Sequence, residues 1–191
     1  MSGFTFDEDK AKAADGGTGI SKGGHYVGVI TKAKYFKRDT GSGGIEFAVK
    51  NVDGAKADYL KIYTKNKNGE PNFAVAKVHA LMGLLGLKEL PAVKDAQGAY
   101  EFPACLDKRI GYTLQREDYR NASGDLKYSM NILHWHSAET KQTYTEAAAD
   151  DLPTAWNQPV EDIRISAGGV APQASGVPAA GNPFPEDDLP F

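Results

Sequence analysis

FAVAKVHALMGLLGL, residues 73–87, departs from the two-residue period of the chain before it. Val75, Val78, Leu81, Met82 and Leu85 recur at three- and four-residue intervals, the spacing that lines one face of a helix. Gly86 stands where a helix C-terminus takes a left-handed residue, and Leu90-Pro91 closes the element. His79, set inside this apolar run, is expected as a satisfied core or boundary histidine. One helix at this point matters because of what flanks it.

Upstream lie three strand patterns. Residues 25–38, HYVGVITKAKYFKR, put Val27, Val29, Ala33 and Tyr35 at one parity and Lys32, Lys34 and Phe36 at the other. Asp39–Gly44 reads as a turn or mobile loop. Residues 45–52 alternate Ile45, Phe47 and Val49 against Glu46, Ala48 and Lys50. Beyond the Asn51-Val52-Asp53-Gly54 turn, residues 57–65 point Leu60 and Ile62 one way and Tyr59, Lys61, Tyr63 and Lys65 the other. Downstream of the helix, residues 92–107 are irregular, with Tyr100 and Phe102 as candidate core contacts. A fourth strand over about 108–116 carries Ile110, Tyr112 and Leu114 on one face. The segment Glu117–Asp125 reads as a loop bearing Tyr119 and Arg120. A fifth strand over 126–136 alternates Leu126, Tyr128, Met130 and Ile132. Three strands, a helix and two strands make a mainly β chain with the element order of the OB-fold, a five-stranded barrel. The meander alone also fits an SH3-like barrel or a small α+β sheet; the helix between strands three and four favours the OB reading.

The organisation expected is a Gly-rich arm over residues 1–24, a body over 25–145, a transitional segment over 146–165 and a linker over 166–191. Phe4 and Phe6 in the arm are candidates to dock on the body, and Asp7–Ala14 has room for one helical turn. Thr143–Ala149 reads as a short helix, and Trp156 as an anchor that holds the tail against the body. The net charge of −3 hides a partition: residues 20–145 hold 19 basic against 13 acidic side chains, and residues 146–191 hold one Arg against eight acidic ones. A basic body with an acidic tail is the charge layout of a polyanion binder that carries its own competitor. The single Cys105 cannot form an internal disulfide and suits a reducing compartment. No stretch approaches the ~18–20 apolar residues of a membrane span, and no signal peptide is read at the start. A soluble cytoplasmic protein is expected.

A single nucleic-acid strand offers a line of phosphates and a row of flat bases, and binding it without sequence preference needs cations interleaved with aromatic rings. Tyr59, Lys61, Tyr63 and Lys65 supply that alternation on one strand face. Lys34 and Phe36 repeat it on the first strand, and the flanking loops add Lys37, Arg38, Arg116, Tyr119 and Arg120. Each tyrosine is equally at home as an ordinary strand residue; the set, taken with the tail, favours binding. Trp135 is expected as a packed ring with its N–H satisfied. His134 and His136 share a strand face, yet four His and one Cys in the whole chain leave too few ligands for a metal site. No phosphate-binding loop and no catalytic constellation is present, so no enzyme activity and no cofactor are expected.

The last residues, Pro185-Glu186-Asp187-Asp188-Leu189-Pro190-Phe191, join three acidic side chains to an apolar ring behind a run rich in Gly, Pro and Ala. Such a tip has too little apolar surface to fold alone, but it can dock Phe191 in a partner's apolar pocket while its carboxylates meet basic groups. DDLPF resembles the acidic C-terminal tip of bacterial and phage-encoded single-stranded DNA-binding proteins. Residues 24–90 are similar to a phage family of the same kind, through Gly24-x-Tyr26, the Gly-rich turn and Ala80-Leu81-Met82-x-x-Leu85-Gly86. The resemblance implies an OB body that coats single-stranded DNA. It implies a tip, Glu186 through Phe191, that recruits replication, recombination and repair proteins. A strand-annealing recombination protein and an OB adaptor for other proteins are the competing readings.

Overall fold

The computed structural model describes residues 19–164. Seven strands form one antiparallel sheet: β1 (Gly24–Lys37), β2 (Gly43–Asn51), β3 (Lys56–Lys65), β4 (Val93–Lys94), β5 (Tyr100–Glu101), β6 (Arg109–Arg120) and β7 (Leu126–His136). Among the described residues three α-helices accompany them, α1 (Val75–Leu84), α2 (Tyr144–Ala148) and α3 (Thr154–Asn157), with a single 3-10 turn at Pro103–Cys105. The organising element is the 14-residue β1. One edge of it pairs with β2 from Gly28 to Lys37. The other edge pairs with β6 along Gly24–Val29 and with β5 at Lys34. The main path is therefore β3-β2-β1-β6-β7, with the β5–β4 hairpin beside the second half of β1. β3 and β7 approach within 8 Å between Cα atoms, yet no ladder joins them, so the sheet curls without closing into a barrel.

The expectation of a five-stranded barrel is corrected: among the described residues the sheet has seven strands and is not closed. The short β4–β5 hairpin lies in the stretch that reads as irregular; two residues per strand are too few to show a period. β6 also runs on to Arg120, so Tyr119 and Arg120 belong to a strand rather than a loop, and the turn shrinks to Asn121–Asp125. The parity of β1 differs as well. Ile30 pairs with Val49 and Lys32 with Ala48, leaving Thr31 as an extra residue. That bulge switches the inward set from Gly28 and Ile30 to Ala33, and so breaks the single alternation expected along the strand. On β2, β3 and β6 the expected faces hold: Phe47, Val49, Leu60, Ile62, Ile110, Tyr112 and Leu114 are buried. On β7 the core holds only Met130, Ile132 and Trp135, while Leu126 and Tyr128 are exposed where the β6–β7 hairpin projects past the core. Close strand crossing needs glycine at Gly44, whose added Cβ would stand 2.0 Å from the Ile62 carbonyl oxygen.

α1 begins at Val75, the first residue of its apolar period, and ends just ahead of Gly86 as expected. Gly86, at φ 66°, sits beyond the last turn, with Leu87 N–H donating to Met82 O and Gly86 N–H to Gly83 O. Val78 and Leu81 face the core and His79 faces solvent, so the core or boundary role expected of it is not met. The helix lies across β3 and β7, and Lys77 Nζ donates to the Ile132 carbonyl at 2.7 Å.

The body reaches beyond the expected limits at both ends. Gly19 bridges Lys56 and Ile20 is buried, while Ile163 bridges Glu117. The chain between β7 and Ile163 is clasped to the sheet. Thr113 Oγ1 lies 2.8 Å from His25 Nδ1 and 2.6 Å from His136 Nε2. His25 Nε2 lies 2.8 Å from Gln158 O, and His136 Nδ1 3.0 Å from Lys141 O. Trp156 packs 5.1 Å from both imidazoles, which bears out its reading as an anchor. The short helix expected at Thr143–Ala149 is α2, capped reciprocally by Thr143 and Glu146, and Glu146 also accepts from Thr154 Oγ1 and Ala155 N–H. Phe4, Phe6, the turn at Asp7–Ala14, the linker and the acidic tip lie outside the described residues. Among the described residues no helix is long and apolar enough to cross a membrane.

Candidate nucleic-acid interface

Where β3 and β7 run side by side without pairing, they leave a cleft of about 760 Å³. β3 contributes Tyr59, Lys61 and Tyr63, the β1–β2 turn Arg38, β6 Tyr119, and β7 Tyr128, Ser129 and Asn131. Lys56 and Asp58 complete the β3 wall. Four tyrosines thus converge from three strands. Tyr59 is 72% exposed, and Tyr119 and Tyr128 are also solvent-facing. Among the described residues none of the four hydroxyls has a hydrogen-bond partner.

Tyr59 is held there by backbone strain. Phe47 pairs with Leu60 and Val49 with Ala57, so β3 carries one residue more than β2 across this interval. At that bulge Tyr59 adopts φ 61°, a left-handed conformation that a bulky side chain occupies only at a cost of about 1–3 kcal/mol. The ring lines the cleft and is exposed there.

Cations stand against the rings. Arg38 lies 5.5 Å from the Tyr63 ring centre, Lys32 5.8 Å from Tyr59, Lys61 5.5 Å from Phe36 and Arg116 4.4 Å from Tyr128. Phe36 meets Tyr63 edge-on at 5.1 Å, which props the Tyr63 ring from behind. Glu46 sits beneath, 2.6 Å from Lys32 and 3.6 Å from Lys61, and offsets part of their charge. A flat aromatic ligand can stack on these tyrosines, and an anionic backbone can run past Arg38 and Lys61.

Of the residues singled out from sequence, Arg38, Tyr59, Lys61, Tyr63 and Tyr119 line this cleft, with Phe36 packed behind. Lys37 and Lys65 are exposed at strand ends outside it. Lys34 is directed elsewhere: its ammonium pairs with Asp95 at 3.1 Å and Glu101 at 2.7 Å on the β4–β5 side, and those bonds raise its pKa. Arg116 is tied to Asp118 at 2.6 Å and to Ser21 O, serving the cleft only through Tyr128. Arg120 donates to Gly124 O within its own hairpin turn. Sequence reasoning misses Lys32, Lys56, Tyr128, Ser129 and Asn131 as site residues. Alternation places Tyr128 inward, and no local signal marks where a hairpin leaves the core.

Trp135 is buried and meets Phe47 edge-on at 5.4 Å, but its Nε1–H has no partner among the described residues, contrary to expectation. His134 is exposed and His136 buried. Among the described residues no three His, Cys, Asp or Glu side chains cluster as a metal site. No protein-family model matches the chain, and no curated protein matches it either.

Proposed function

We propose that this is a single-stranded DNA-binding protein that holds its ligand in the β3–β7 cleft without sequence preference, in replication, recombination or repair. The observation that carries the reading is the convergence of Tyr59, Tyr63, Tyr119 and Tyr128 with Arg38 and Lys61 in one open cleft. Rings stack on any base, and cations meet any phosphate, so such a surface selects a strand with unpaired bases and ignores its sequence. The fold is read as an OB-type sheet left open. Long β1 is shared between β2 and β6, α1 falls between β3 and the β6–β7 hairpin, and β3 faces β7 across the seam. The acidic residues 186–188 and Phe191 recruit partner proteins, and the phage and bacterial single-stranded DNA-binding proteins are the family this resembles.

The test is equilibrium binding of the full chain to labelled oligo-dT over a salt series, with plasmid duplex as competitor. Salt-sensitive binding that duplex competes poorly supports the reading. Equal competition by duplex points to general polyanion attraction, and no nucleic-acid affinity points to a protein-binding adaptor. In a pull-down, Phe191→Ala should lose partner capture while keeping DNA affinity, because it retains every side-chain charge of the tip.

A further inference from the structure

The cleft continues past Tyr63. A second basin of about 250 Å³ shares Lys61, Tyr63 and Asn131 with it and extends to Asn72, Phe73 and Lys77. Phe73 is 80% exposed, more than any other Phe, Tyr or Trp among the described residues. The backbone fixes it there. Asn72 Oδ1 accepts from Ala74 N–H, Asn72 O from Val75 N–H and Phe73 O from Ala76 N–H, a locked turn ahead of α1. One helical turn on, the Lys77 ammonium is largely withdrawn from water, which lowers its pKa. It donates to Ile132 O and pairs with no carboxylate among the described residues, so N–H groups remain for an acceptor. Asn131 donates to Glu117 and leaves its amide oxygen available; Asn72 uses its oxygen and leaves its NH₂.

A base platform, a cation lacking its anion and two side-chain amides are what one nucleotide needs: a flat face, a phosphate partner and polar groups for a base edge. The two basins share a wall, so a strand leaving the cleft past Lys61 and Tyr63 enters this basin next. We propose that it is a nucleotide subsite that extends the cleft, with Phe73 as the stacking ring and Lys77 on the phosphate side. This rests on the cleft being the path of a single strand.

The experiment uses the full chain and a ladder of oligo-dT spanning on the order of 4–16 nucleotides. Phe73→Ala should match wild type on the shortest oligonucleotides that bind and fall about tenfold behind once the strand is long enough to reach the basin. Phe73→Trp should keep wild-type affinity, with its added fluorescence quenched by long oligonucleotides and not by short ones. Two results would overturn the subsite and leave the cleft standing: wild-type affinity for Phe73→Ala at every length while Tyr63→Ala weakens binding, or equal loss at every length. If the wild-type chain binds no oligo-dT at low salt, both readings fall.

Discussion

At the clasp, His25, His136 and Trp156 touch one another, and all four imidazole nitrogens have a polar partner within 3.0 Å. At the cleft, Tyr59, Tyr63, Tyr119 and Tyr128 are as polar and as aromatic, yet their hydroxyls have no partner among the described residues and one backbone is strained. Buried polar groups with partners fix a structure; here, with both imidazoles neutral and donating to Gln158 O and Lys141 O, the one Thr113 proton serves one of the two nitrogens that face it. Tyr59, Tyr119 and Tyr128 are held out in water, Tyr59 in a costly conformation, and a ring kept in water gives the fold no burial energy. The first region explains how the chain beyond β7 is secured; the second is where we place the ligand.

The largest effect separating the two regions is a pH dependence of stability that originates at the clasp. Burial pushes His136 down to about 4, with His134 and His25 adding to the effect and the Lys141 carbonyl and Glu146 opposing it. His134 is solvent-exposed, so the lowering that partial desolvation and Lys77 give it adds little. The unfolded chain therefore takes up protons near pH 6.5 that the folded chain refuses, and stability present above that pH is lost as pH falls towards 4. For His136 alone the loss is up to about 3 kcal/mol. Burial by itself would raise Glu146, but hydrogen bonds from Thr154, Ala155 and Thr143 bring it down to about 2, so a further loss sets in below pH 4.5. Urea unfolding at intervals between pH 7 and 4 checks this; a flat profile would mean that the clasp is open in solution.

Next in size is Tyr59. Alanine there should cost about 1–3 kcal/mol of oligo-dT affinity with folding retained. Tyr59→Gly should lose the same affinity while unfolding at higher urea than Tyr59→Ala, by roughly 1 kcal/mol, because glycine accepts φ 61° without strain. If glycine is no more stable than alanine, the bulge is not holding the ring under strain.

The smallest effect concerns charge. Lys61→Ala should flatten the salt dependence of binding by ~0.7 log per log, the share of one phosphate contact on a single strand. Lys34→Ala should leave the slope unchanged, since Asp95 and Glu101 already hold that ammonium. A slope that shifts for Lys34 and not for Lys61 would move the DNA path to the β4–β5 side.

The contrast between clasp and cleft also marks what is legible in the residues. Alternation finds the strands that form the core because Ile45 and Phe47, Leu60 and Ile62, and Ile110 and Tyr112 keep alternate positions on the buried face, and the helical period with Gly86 finds α1 and its end. It fails where geometry is not periodic. The bulge at Thr31 shifts the parity of β1, the two-residue strands β4 and β5 have no period, and the β6–β7 hairpin turns Tyr128 outward by leaving the core behind. For the site, the Tyr59-x-Lys61-x-Tyr63 alternation is visible because β3 presents one face to solvent. Which lysines remain available is not, since that depends on carboxylates distant in sequence, Glu46 for Lys61 and Asp95 for Lys34.

The most direct test of the cleft is ultraviolet crosslinking of the full chain to oligo-dT carrying 5-iodouracil, with the modified peptides then mapped. Crosslinks concentrated at Tyr59, Tyr63, Tyr119 and Tyr128 are the predicted result. Crosslinks confined to the β4–β5 hairpin or to the exposed face of α1 around His79, with those tyrosines unmodified, would contradict it.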